Sequence, residues 1–129
     1  RFTLAHEVGH FILHPNCLDS SVNSTHKWMD YINNMPEQRY GIMEWQANCF
    51  SGLVLVPAGK LKEKIAEIIA RLRTTELASG VPNDFILELI EDRVASYFDV
   101  SKDVIHRRIE YDKLSQVFNL GNILGEKRK

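Results

Sequence analysis

Phe2, Leu4, Ala5, Val8, Phe11 and Ile12 recur at helical spacing and Pro15 ends the run, so the chain is predicted to open on a helix with these residues on its core face. The pattern then lapses. From residue 15 to about 41, Pro15, Pro36, asparagines and serines predict a mostly irregular connection with one short turn of helix. So long a connection inside a domain usually carries function. The run IMEWQANCFSGLVLV (42–56) is almost continuously apolar; its length favours a buried helix ending before Pro57. PAGKLKEKIAEIIARLRTTELAS (57–79) is an amphipathic helix with Gly80 after its end. PNDFILELIEDRVASYF (82–98) starts with proline at a helix N-terminus, and SKDVIHRRIEYDKL (101–114) has Ser101 as N-cap and Asp103 in its first turn. The expected fold is therefore mainly α, without internal repeats.

The 129 residues suit one compact domain able to bury its own core. The net charge of −1 excludes a general pull toward nucleic acid or anionic membrane. The terminal EKRK reads as a frayed, solvated end. Two cysteines, Cys17 and Cys49, make no disulfide framework, and a reducing cytoplasm is the simpler setting. No apolar run reaches membrane-spanning length. A helix at residue 1 suggests that the sequence starts inside a domain.

The first helix contains HEVGH. His6 and His10, four residues apart, lie one above the other on one helical face, close enough for two imidazoles to bind one zinc ion. Glu7 is one residue round from His6, where its carboxylate can take a proton from water as general base. Gly9 costs a helix interior about 1 kcal/mol relative to alanine, which points to a close approach on that face. Three fixed positions in five recur by chance, so the pentad needs a third ligand.

Glu44 is the favoured third ligand, because it opens a second apolar helix that can pack on the first. His14 is the rival, but it stands roughly 12 Å along the axis from His6, too far for convergence from a straight helix. It is expected to pack or cap near the helix end. His26 and Cys17, in the connection, stay open as ligands. Asn48 lies one turn beyond Glu44 and can accept from the outer ring nitrogen of His6 or His10. The rival role for Asn48 is a bond to backbone. Tyr31, Tyr40 and His26 are candidates to stabilise an oxyanion.

RFTLAHEVGHFILH followed by EWQANCFSGLVLVP resembles the ImmA/IrrE family of zinc-dependent metallo-endopeptidases. In that family a helix of the form RFTxAHExGHxxLH precedes E-x-E-A-N-x-F-A-x-x-L-L-M-P. The resemblance covers residues 1 to about 57. It implies that His6, His10 and Glu44 hold zinc and that Glu7 is the catalytic glutamate. Glu44 and Asn48 also resemble the E-x-x-x-D arrangement of gluzincins, with Asn for Asp, and Gln46 stands where the family commonly has a second glutamate. Zincins have a small sheet before the HExxH helix; these residues do not supply it, so an N-terminally truncated fragment is expected. The resemblance also implies a protein substrate, typically a helix-turn-helix transcriptional repressor. Residues 1–80 are expected to form the zincin-like core and residues 81–129 a helix-turn-helix-like segment packed on it as one compact unit.

That second segment, RVASYFDVSKDVIHRRI, resembles a helix-turn-helix. Ala95 permits close helix approach, FDVS supplies the turn, and Asp99 takes the place of the usual turn glycine. Lys102, His106, Arg107 and Arg108 are candidate contacts for DNA phosphate or a partner protein. Asp99, Asp103, Glu110 and Asp112 interrupt that basic face and argue against DNA. The alternative to the peptidase is a DNA-binding or repressor-binding module with a structural or lapsed metal site.

Overall fold

The computed structural model of the chain describes residues 1–18, 23–74 and 81–120. It is mainly helical, and no strand occurs among the described residues. The helices are α1 (Phe2–Leu13), α2 (Thr25–Asn33), α3 (Glu37–Leu55), α4 (Ala58–Thr74), α5 (Asn83–Phe98), α6 (Lys102–Tyr111) and the short α7 (Leu114–Val117). A single 3-10 turn, Pro15–Leu18, follows α1. None of the described helices is long and apolar enough to cross a membrane.

These helices form two compact units, Arg1–Leu55 and Val56–Lys129. The break falls between Leu55 and Val56, just before Pro57, which fixes its own φ and starts α4 by accepting from Leu61 N–H at 2.9 Å. Thus α4, grouped by sequence with the metal motifs in residues 1–80, lies in the second unit. In the first unit α1 packs on α3 through small residues. Gly9 is the buried residue of α1, and Met43, Ala47, Ser51 and Gly52 are buried on α3. The large apolar residues of α1 do not take the core role expected of them: Leu4 is 70% exposed and Phe11 69%. Backbones that approach through Gly9 and Ala47 leave no room between them for bulky side chains.

In the described part of the connection from 15 to 41, helix occurs where composition predicts an irregular path. Ser24 caps α2 by accepting from Lys27 N–H at 3.3 Å, and α3 begins already at Glu37. Pro36 N-terminal to α3 supplies carbonyl acceptors for Arg39 and Tyr40 rather than breaking the helix. Cys17 and Cys49 form no disulfide.

The second unit has an aliphatic core. Leu61, Ile65, Ile68 and Ile69 of α4, Ile86, Ile90 and Val94 of α5, Ile105 and Ile109 of α6, and Leu114 of α7 are buried. The α5–α6 connection turns at Asp99, left-handed at φ 54°, while Val100 N–H donates to Ala95 O at 3.1 Å; this closes α5 in a Schellman arrangement. Ser101 sits at the N-cap of α6, but its side chain makes no capping hydrogen bond. Gly80, the C-terminal end of the 57–79 run and the EKRK tail lie outside the described residues.

Candidate metal centre

The α1–α3 contact makes the site. A Cβ at Gly9 would stand 3.1 Å from the Phe50 ring, 3.2 Å from Ala47 Cα and 3.3 Å from Ala47 O. The glycine is therefore what lets α3 close on the histidine-bearing face. His6, His10 and Glu44 then converge. The two Nε2 atoms lie 3.0 Å apart; Glu44 Oε2 is 3.3 Å from His6 Nε2, and Glu44 Oε1 is 3.2 Å from His10 Nε2. All three side chains are part-exposed, so the site opens to solvent.

The spacing fits a small divalent ion. Zinc bonds of about 2.0–2.1 Å in a tetrahedron separate neighbouring donors by about 3.3 Å, close to the distances here. Two imidazoles and a carboxylate are ordinary zinc donors, and three such groups leave a fourth position. Among the described residues, this is the cluster of His, Cys, Asp or Glu that draws together in this way. The rivals do not join it. His26 is exposed on α2 and pairs with Asp30 at 2.9 Å, and buried Cys17 has its Sγ 3.9 Å from Met43 Sδ.

Asn48 Oδ1 stands 3.2 Å from His6 Nδ1. A carbonyl oxygen only accepts, so His6 Nδ1 carries the hydrogen and its Nε2 presents a lone pair toward His10 and Glu44. Of the two positions offered by sequence, Asn48 thus serves His6 and not His10. Glu7 is exposed on α1, next in sequence to His6. His14 is the C-cap residue of α1, its N–H donating to His10 O at 2.9 Å. Its ring turns outward from the cluster: Nδ1 lies 3.2 Å from His10 Nδ1 and Nε2 2.8 Å from Gln46 Oε1. Sequence reasoning missed this contact. The only signal was His14 one turn beyond His10.

Of the three oxyanion candidates, Tyr40 lies beside the cluster. The charge of Glu44, one turn on, holds the Tyr40 phenol above its usual pKa, with burial and a hydrogen bond to the same carboxylate adding to it. Tyr31 is engaged elsewhere, its pKa raised mainly by a hydrogen bond with Cys17.

The four basic candidates of the second unit are all paired with acids. Lys102 reaches Glu88 at 2.8 Å and Asp92 at 3.3 Å, and Arg107 reaches Asp103 at 2.9 Å. His106 Nδ1 is 2.7 Å from Glu91, which raises the imidazole pKa chiefly through that hydrogen bond. Arg108 is not on a surface at all: it is 5% exposed, with Nη2 2.9 Å from Asp112. Sequence placed Arg108 with its neighbours because it could not register the inward turn that sets it beside Ile105 and Ile109 among the buried residues of α6.

Residues 1–110 match the family model described as IrrE N-terminal-like domain, Peptidase_M78. No curated protein and no solved structure matches the chain. The match spans most of the 129 residues and includes both helices of the cluster, and the chain belongs to this M78 peptidase family, which supports a metallopeptidase-type function.

Proposed function

We propose that the protein is a zinc-dependent endopeptidase. The observation that carries this reading is the convergence of His6, His10 and Glu44 from two helices, with the exposed Glu7 next to His6 in sequence. His6 and His10 would hold zinc through Nε2 and Glu44 through its carboxylate. When bound, zinc supplies a Lewis acid that polarises a carbonyl and makes water easier to deprotonate. Glu7 takes the proton of the attacking water and returns it to the leaving amine. Asn48 keeps the hydrogen of His6 on Nδ1. Tyr40, whose phenol hydrogen-bonds the Glu44 carboxylate, is the candidate donor to a developing oxyanion.

The substrate is a protein, and the ImmA/IrrE resemblance favours a helix-turn-helix transcriptional repressor. Every cation of the second unit considered for DNA is engaged by a carboxylate, which argues against DNA. The test is Glu7→Gln. It should leave one zinc per chain while lowering cleavage of a repressor substrate by about 10²–10⁴-fold. Unchanged cleavage, or a wild-type protein without zinc, would sink the reading.

A further inference from the structure

The two histidines of the cluster have different outer partners. His6 has one carbonyl acceptor, Asn48. The outer nitrogen of His10 instead meets a second imidazole, His14, which in turn meets Gln46 on α3. We propose that Gln46 and His14 form a two-step relay that positions His10 as a ligand, an inference that rests on the metal-centre reading above.

The argument is one of donors and acceptors. Gln46 Oε1 can only accept, so His14 Nε2, 2.8 Å away, carries a hydrogen and donates it. A neutral imidazole has one N–H, so His14 Nδ1 is then an acceptor. Its neighbour at 3.2 Å, His10 Nδ1, must be the donor. That leaves the His10 lone pair on Nε2, the atom 3.0 Å from His6 Nε2 and 3.2 Å from Glu44. With its oxygen turned to His14, the amide of α3 thus sets which nitrogen of His10 faces the ion, through a ring one helical turn away.

The reverse polarity shows what the relay prevents. If the residue at 46 donated, His14 Nδ1 would carry the hydrogen and donate to His10 Nδ1. The remaining hydrogen of His10 would then sit on Nε2 and point into the cluster, where it blocks coordination. The same geometry ties the end of α1 to α3: His14 is the C-cap residue, and its link to Gln46 restrains the last turn that carries His10. Gln46 and His14 are therefore positioning residues. Neither contributes an atom to the ligand triangle.

The relay makes a specific pattern of variants. Gln46→Leu keeps the volume and removes the acceptor, His14→Phe removes the middle ring, and Gln46→Glu keeps an acceptor. Zinc affinity of the full chain is measured at one fixed pH by competition with a chromophoric chelator. Long-range ¹⁵N–¹H spectra of the metal-free proteins report which nitrogen of His10 carries hydrogen. Gln46→Leu and His14→Phe should each weaken zinc binding by about 10–100-fold, the size of effect seen when an outer partner of a ligand histidine is lost. Gln46→Glu should bind at least as tightly as wild type. The double variant Gln46→Leu with His14→Phe should be no weaker than the worse single variant, because the two act in series. In wild type His10 should hold its hydrogen on Nδ1, and in Gln46→Leu a share should move to Nε2. Wild-type zinc binding with affinity unchanged in Gln46→Leu and His14→Phe overturns the relay and leaves the metal centre standing. Absence of zinc binding in wild type overturns both.

Discussion

The α1–α3 pair and the α4–α7 bundle bury opposite kinds of residue. The pair closes on Gly9, Ala47, Ser51 and Gly52, with Met43 the one large side chain buried on these two helices, while Leu4, Phe11, Ile12, Trp45 and Val54 stay exposed. The bundle closes on isoleucines, leucines and valines. Small residues bury little apolar area, so the first contact gains little from the hydrophobic effect. What it gains is proximity. Backbones must come close if an imidazole on one helix and a carboxylate on its neighbour are to reach one ion. The bundle has no such demand and is packed for stability. One chain thus carries a region arranged around polar chemistry and another arranged around volume.

The contrast can be tested from its strongest consequence downward. Ile90 is fully buried in α5, so Ile90→Ala should cost about 2–5 kcal/mol in denaturant unfolding while zinc affinity of the folded protein stays unchanged. Zinc should act on the opposite region. At a hundredfold excess over its dissociation constant it should stabilise the protein by about 2.7 kcal/mol, and His10→Ala should abolish that gain in a thermal scan. Gly9→Leu should cost about 1–3 kcal/mol by forcing α1 off Ala47, and its zinc affinity should fall further than its stability does. If Gly9→Leu binds zinc normally, close approach is not what makes the site.

The smallest effect is electrostatic. His106 faces Glu91, Glu110 and Asp103, and its folded pKa is raised above the usual value near 6.5. A raised histidine pKa means that the folded state holds the proton more tightly. The resulting stability is complete below the unfolded pKa and is lost as pH rises through the folded one. His106→Gln should therefore lower the melting temperature slightly at pH 5.5 and not at pH 8.5. Half exposure of the ring keeps the difference small.

The helices that carry the site were legible because their signals are local. The i, i+4 histidines need only a helix to share a face, and prolines mark where helices stop or start. Glu44 was legible because it opens the next apolar run, and Asn48 because it follows by one turn. Other features were not legible. The short α2 has only Trp28, Tyr31 and Ile32 partly buried, too weak a pattern to stand out from a polar connection. The apolar residues of α1 imitate a core face, yet the helix packs on Gly9. Arg108 reads as one more cation in HRR, and its burial depends on Asp112 meeting it inside.

By itself, the sequence determined the mainly helical character, the HEVGH pentad and the chemical types of the candidate donors. Periodicity, proline placement and residue chemistry act over a few residues and need no fold. The tertiary structure alone decided that α1 and α3 meet through Gly9 and Ala47, that Asn48 serves His6, and that Gln46 reaches His10 through His14. Those contacts join residues some 32 to 42 positions apart. Such pairings depend on backbone approach distances and side-chain directions, which hydrophobic pattern and spacing along one strand of sequence do not encode.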